Sequence, residues 1–242
     1  MTAPSNLLND DIQCLCEVLC RDRRCATSAL ELPSLDRFYT YRNLITTSYK
    51  TGNVLRYMGV QKGDSVFIQN QLLPEPILAF LGAAHLGAVT TFDVVSEMGD
   101  SRAAVINSDS DIADMSFSNG QEVAVYDGKP TVPRHTHWES EVWSENPAVH
   151  PVAVQGGDGL FQDTNSVVSH ASVIQRATQI GSTVSMKAGM TVLLSGSLQC
   201  TEVVVSGIIA PLLSGATIVI GGERADADFI VTDQEPRPRR IE

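Results

Sequence analysis

Helix-like segments and short apolar runs take turns along this chain. Residues Tyr41 to Met58 carry apolar side chains at helical spacing and stop at Gly59. A Lys62-Gly63-Asp64 turn leads into a buried strand, Ser65 to Gln69. Pro74-Glu75-Pro76 opens another helix, ILAFLGAAHLGA, whose small residues allow close packing on a sheet, and the strand VTTFDV follows. Before them, SNLLNDDIQCLCEVLCR reads as a first helix behind a Ser or Asn cap. After Ser169 come a helix from His170 to Met186, a strand from Thr191 to Ser195, the helix TEVVVSGIIAPLLSG, a strand from Thr217 to Ile220 and a last strand, DFIVTD. This alternation predicts an α/β fold, a largely parallel sheet flanked by helices on both faces.

The middle, about residues 100–157, offers one readable strand, Glu122 to Tyr126, inside a polar, proline-punctuated link around Trp138 and Trp143. Residues 1–234 read as one domain, and residues 235–242 as a charged, proline-broken tail that frays.

With 242 residues and 43% hydrophobic composition, the chain can build a real core. Its net charge of −11 argues against a nucleic-acid or anionic-membrane partner. Lys50, Lys62, Lys129 and Lys187 are its only lysines, and abundant Asp with scarce Lys suits a protein adapted to high salt. No apolar run reaches the roughly 18 residues of a membrane span, and MTAPSNLLNDDIQ lacks the form of a signal peptide, so a cytoplasmic location is expected.

Several residues invite a chemical reading. Cys14, Cys16, Cys20 and Cys25 cluster, but their spacing lacks the paired C-x-x-C of ordinary zinc sites. On a helix Cys16 and Cys20 would share a face while Cys14 points elsewhere, so small apolar helix residues account for them better than a metal does. His135, His137 and His150 lie near Glu139 and Glu141 without a second ligand pair, and read as solvated loop side chains. Ser195-Gly196-Ser197 sits at a strand-to-helix turn but does not satisfy G-x-S-x-G. His85 reads as a satisfied histidine on an apolar helix, and His170 as a capping or packing residue as readily as a ligand contact. No metal site and no catalytic residue are assigned.

The stretch GGDGLFQDTNSVVSH, Gly156 to His170, poses the sharpest question. A phosphate cradle needs glycines inside the turn and a lysine or hydroxyl for charge and orientation. Here Gly156 and Gly157 precede the apolar Leu160-Phe161, and the turn itself, Gln162 to Ser166, carries Asp163 and no lysine.

Thr40-Tyr41 with Leu44, then Gly59, Lys62-Gly63-Asp64 and Val66, then Gly87-Ala88, resemble in order and spacing the N-terminal part of the adenylate-forming (AMP-binding) superfamily. HWESEVWSENP resembles the linker of its acyl-CoA and acetyl-CoA synthetase branch, VVSHASV the tail of its phosphate-loop motif, and IIAPLLSGATIVIGG the elements after it. The resemblance runs from about residue 8 to about residue 222. In the family, a loop of hydroxyls, glycines and a lysine surrounds the ATP phosphates. Here the resemblance puts Pro-Lys-Gly on Thr164-Asn165-Ser166 and shortens the run before it to Gln162-Asp163; it sets Ser197-Leu198-Gln199-Cys200 where the family has Pro-Leu-Phe-His. The degenerate positions are thus Asp163, Thr164, Asn165, Ser166 and His170. The family's adenine- and ribose-binding motifs and second catalytic lysine are absent, so the chain is expected to be a truncated relative.

Three functions follow. The first is a binding, regulatory or subunit protein that has lost adenylation, pairing with itself or with a complementing synthetase chain. The second is an acyl-adenylating ligase completed by a separate chain. The third is an unrelated small-molecule binder using the crevice at its strand ends. No cofactor is expected, and ATP or AMP with Mg2+ only under the second.

Overall fold

The computed structural model describes residues 3–93, 99–110, 117, 120–163, 166–221, 227–234 and 238–240. Its organisation follows from one helix without a polar face. α3 (Pro74–Leu86) is buried at all 13 positions, as a helix with no polar stripe must be. Pro74 and Pro76 fit its first turn, where N–H groups have no intrahelical acceptor, and Gly87 ends it in the left-handed region at φ 65°.

α2 (Tyr41–Tyr57) covers one side of α3. Its cap is Thr40, whose hydroxyl accepts from the Asn43 N–H at 3.2 Å. The two helices meet at glycines. A Cβ on Gly82 would lie 2.4 Å from Thr51 Oγ1 and 2.6 Å from the Gly52 nitrogen, and one on Gly52 would lie 2.9 Å from the Gly82 carbonyl oxygen. Glycine at both positions lets the backbones touch, and there the Thr51 hydroxyl donates to the Leu78 carbonyl at 2.7 Å.

The helix pair lies between two sheets: β1 (Ser28–Leu32) and β2 (Arg37–Thr40) pack on α2, and β3 (Ser65–Gln69) and β4 (Val89–Asp93) pack on α3. The first sheet also holds β10 (Thr191–Leu194), β11 (Thr217–Ile220), β12 (Phe229–Val231) and β13 (Arg239–Arg240), in the order β13-β12-β10-β11-β1-β2. Its inner strands are parallel and both edge strands antiparallel. The second adds β5 (Ala103–Asn107), β6 (Glu122–Tyr126), β7 (Thr136–His137), β8 (Gly159–Asp163) and β9 (Ser166–Ser169), in the order β7-β6-β5-β3-β4-β8-β9. It is parallel except for the β8–β9 hairpin.

Side chains alternate across this second sheet with the strand period of two. Val66, Ile68, Val105 and Tyr126 join the main core, while Phe67, Ala104, Ile106, Val123 and Val125 form a smaller apolar cluster with Phe117 on the other face. Burial on both faces explains the unbroken apolar runs in β5 and β6. On the first sheet, α5 (His170–Thr183) packs with α6 (Thr201–Val204), a π-turn (Val205–Ile209) and α7 (Ala210–Ser214) beside β10 and β12. Pro211 has no N–H to give one turn back, and the wide turn before it absorbs the mismatch. No helix among the described residues is long and apolar enough to cross a membrane.

The α/β class and the mostly parallel strands agree with the sequence reading, and β3, β6 and β11 have the expected bounds. Other parts differ. There are two sheets rather than one, because α2 and α3 supply a shared layer with apolar surface on both sides. The first expected helix shrinks to α1 (Leu15–Val18); before it Leu7 and Leu8 are buried in an arm whose Leu7 N–H donates to the Leu213 carbonyl at 2.9 Å. β1 and β2 form where no strand was read, since β1 gains its identity from pairing with β11 rather than from an apolar run of its own. The supposed link contains β5, β7 and α4 (Trp138–Ser144), with Trp138 only 2% exposed. In the supposed fraying tail, Arg239–Arg240 pairs with β12. α5 ends at Thr183, short of Met186, at the cap residue Val184.

Candidate functional site

In open α/β sheets ligands bind outside the carboxyl ends of the strands. Here those ends come from both sheets and are stitched together. Asn70, just after β3, donates from Nδ2 to Ser197 Oγ at 2.8 Å and accepts the Leu198 N–H at 3.0 Å. Gln199 Nε2 donates to Asp93 Oδ1 at the end of β4 at 2.5 Å, and the Ser197 N–H donates to Asp233 Oδ1 beyond β12 at 2.6 Å. Gly196 permits this approach, since a Cβ there would lie 3.0 Å from the Asp233 nitrogen. The polar side chains so joined are amides, a hydroxyl and two carboxylates. Ser197 Oγ lies within reach of Asn70 and Gln199, amide partners that cannot serve as a general base, so the Ser195-Gly196-Ser197 turn has the shape of a nucleophile turn without its chemistry.

The β8–β9 hairpin reaches the same edge. Asp163 pairs with Ser166, so only residues 164 and 165 separate the last pair of the ladder; Thr164 and Asn165 themselves lie outside the described residues. Gly156 and Gly157 precede β8 at the opposite end of a five-residue strand, roughly 13 Å or more away at about 3.3 Å per residue. β9 returns along β8, so His170, after Ser169, also ends far from Asp163: Gly159 pairs with Ser169. The described members of this group, Asp163, Ser166 and His170, therefore do not form one site. Asp163 and Ser166 sit at the crevice edge, whereas His170 is a packing residue.

His170 is 0% exposed, and its Nδ1 accepts the Leu15 N–H at 3.2 Å, which pins α1 to α5. Burial lowers it to about 4, with Asp158 opposing and nearby Lys62 adding to the shift. Lys62 is paired to Asp158 at 2.7 Å, and this hydrogen bond lowers the Asp158 carboxyl. His85 stacks on Tyr49 at 4.4 Å with Nε2 3.0 Å from Ser48 Oγ, and burial lowers it to about 3. His150 lies 5.8 Å from His85, ring to ring, and is also lowered by burial. His85 and His150 line a cleft of about 420 Å³ at the amino-terminal edge of the second sheet, with Gly156, Cys14, Cys16 and Cys20.

That cleft corrects the reading of the cysteines. With only one helical turn, Cys14 does not point away: it caps α1 beside Cys16. His150 is likewise a buried cleft residue rather than a solvated one. His137 and Glu139 sit 3.8 Å apart at the start of α4, with Glu139 Oε1 accepting the Asp127 N–H, and Glu141 is exposed on the same helix. His135 instead packs edge-on to Phe117 at 5.3 Å. Among the described residues no three His, Cys, Asp or Glu side chains are grouped to hold a metal ion. The sequence reasoning missed Asn70, Asp93 and Asp233; their signal was their position at or just past the ends of apolar strands.

No model of a protein family matches the chain. An acetyl-coenzyme A synthetase of Rhizobium rhizogenes is 40% identical over 78 residues, 29% of this chain and 12% of that protein. 4-Coumarate–CoA ligase 2 of Solanum tuberosum is 28% identical over 135 residues, 51% of this chain and 24% of that protein. The matches thus span less than a quarter of either relative's length. The N-terminal domain of FACL13 from Mycobacterium tuberculosis superposes with a TM-score of 0.74 at 22% identity, over 87% of this chain and 57% of that one. Local sequence and overall fold together place the chain beside the N-terminal part of the acyl-CoA synthetases of the adenylate-forming superfamily.

Proposed function

We propose that the chain is an acyl-CoA synthetase-like scaffold that does not itself form acyl-adenylates and serves as a binding, regulatory or subunit protein. The observation that carries this reading is the Asp163–Ser166 pair. Its ends are about 5 Å apart and joined through two residues, a contour of about 11 Å. Such a connection reverses the chain; it has no length left to wrap three phosphates. The carboxylate of Asp233 at the same crevice adds negative charge, and a phosphate within about 4 Å of a carboxylate is opposed by about 4 kcal/mol at an effective dielectric near 20. Both features support a crevice that does not hold ATP. Titration calorimetry with ATP and Mg2+ tests this: no saturable heat is expected below about 1 mM, and tight binding would overturn the reading.

The partner under this reading is a second copy or a complementing synthetase chain. Phe38 on the edge strand β2 and Leu35 just before it, 54% and 46% exposed, support such association. A second reading, an acyl-adenylating ligase completed by another chain, is favoured by the 40% identity to an acetyl-coenzyme A synthetase. Under it, ATP and Mg2+ would bind only in the presence of that other chain.

A further inference from the structure

The cleft at the amino-terminal edge of the second sheet brings Cys14, Cys16 and Cys20 together, and all three are free thiols. Cys14 is the cap of α1: its sulfur accepts the Glu17 N–H, while the Glu17 carboxylate accepts the Cys14 N–H at 2.9 Å. The Cys16 sulfur lies 3.4 Å from the Ala84 carbonyl oxygen and beside the Cys14 sulfur. Leu15 between them is helical, which sets the two Cα atoms about 5.4 Å apart from helix radius and rise. Disulfides span roughly 4.4–6.8 Å between Cα atoms, so the Cα separation of this pair is compatible with a disulfide.

We propose that Cys14 and Cys16 form a thiol–disulfide exchange pair whose oxidant is a low-molecular-weight disulfide, with Cys14 attacking and Cys16 resolving. The Cys14 thiolate attacks one sulfur of R–S–S–R; that S–S bond breaks, and R–S⁻ leaves with the electron pair and takes a proton from water. Cys16 gives its proton to solvent and attacks the Cys14 sulfur of the mixed disulfide, expelling the second R–S⁻. The protein dithiol loses two electrons and two protons, and the small disulfide becomes two thiols.

The division of roles follows from the surroundings. The hydrogen bond from the Cys16 thiol is the main effect lowering Cys14 to about 7; the Glu17 N–H helps, while burial and the Glu17 carboxylate oppose. Cys16 is pushed up, first by that same bond and then by burial, and keeps its proton. From the neighbouring elements Tyr49, His85, His150 and His170 present neutral rings, with Arg21 over the Tyr49 ring at 5.7 Å. At pH 7 a thiol of pKa 7 is about half thiolate against about 3% for an ordinary cysteine; its lower intrinsic nucleophilicity removes about fivefold, which leaves about a threefold advantage.

The test uses the intact chain with glutathione disulfide as the probe, and iodoacetamide to read thiol reactivity. Peptide mapping of the oxidised wild-type chain is expected to find a Cys14–Cys16 disulfide, and alkylation of Cys14 to follow a pH midpoint near 7. Cys16→Ser should accumulate the glutathione adduct on Cys14, and Cys14→Ser should form neither product. A first adduct on Cys20, Cys25 or Cys200, or alkylation of Cys14 with a midpoint above pH 8, would overturn the proposal. So would a Cys16→Ser chain with a native circular dichroism spectrum and no adduct on Cys14.

Discussion

Acidification from pH 7 to pH 5 is expected to remove a large part of the folding stability, through two histidines that the fold holds where a charge is disfavoured. His85 is 4% exposed and His170 0%; burial is the main cause that lowers them from 6.5 to about 3 and about 4. Below pH 6.5 the unfolded chain takes up two protons that the native state refuses. Stability is therefore full above pH 6.5 and falls as the pH drops, until the native imidazoles themselves protonate near 4 and 3. Each such proton is worth about 1.4 kcal/mol per pH unit, so the pair gives a slope of about 2.7 and a loss of about 4 kcal/mol by pH 5. That is a sizeable share of the roughly 5–15 kcal/mol that holds a domain together. His135 and His150, also lowered by burial, act in the same direction. Glu75, raised by burial, acts in the opposite one, because its native form binds a proton more readily than the unfolded form does. The assay is urea unfolding at pH 7, 6 and 5 in constant molar potassium chloride, followed by the fluorescence of buried Trp138. His170→Asn keeps an acceptor for the Leu15 N–H but cannot titrate, and should lower the slope by about 1.4 kcal/mol per pH unit. A urea midpoint that is flat or rises from pH 7 to pH 5, or a His170→Asn chain with the wild-type slope, would refute the reasoning.

Gly82→Ala gains about 1 kcal/mol of helix propensity but drives a Cβ into the α2 backbone, so the net loss should be about 1–2 kcal/mol and the melting temperature should fall by about 2–8 °C. Gly157→Ala, where nothing lies within 4 Å, should shift stability by less than about 0.5 kcal/mol by the same calorimetric scan. If the acidic, lysine-poor surface is set for high salt, the melting temperature should climb as potassium chloride is raised to molar concentration; a flat or falling profile would leave the acidity as ordinary composition. Asn165→Lys should leave acid-dependent pyrophosphate exchange at background, since one restored cation cannot act without the loop length around it; measurable exchange would show that charge, not loop length, was missing.

The sequence revealed elements whose apolar pattern is strong and local. α3 has no polar face, β3 and β11 are bounded by turn residues, and α2 and α5 carry stripes behind Thr40 and Ser169. What stayed hidden depends on distant partners. β1 is a strand because β11 lies beside it, and β13 because β12 does. The arm before Cys14 has helical spacing, yet its leucines are held by the Leu213 carbonyl and by Gly181, 170 or more residues away. The same limit applied to the site. The misplaced glycines and the acid at Asp163 were legible, because the order of residues along a hairpin fixes which end each occupies. That His170 would be carried to the far end of the sheet followed only once β9 was seen to return along β8. The Asn70–Ser197 and Asp93–Gln199 contacts join residues more than 100 positions apart, and no periodicity encodes them.

The most direct test of the central claim is ATP–pyrophosphate exchange by the purified 242-residue chain, with Mg2+ and a panel of short and long carboxylic acids, at low and molar salt. Adenylation brings a carboxylate against the α-phosphate, so it needs positive charge and oriented N–H donors at the crevice, where the hairpin places Asp163 and a strand end places Asp233. The account predicts exchange at background with every acid. Acid-dependent exchange above background from this chain alone would contradict it and make the crevice an adenylating site.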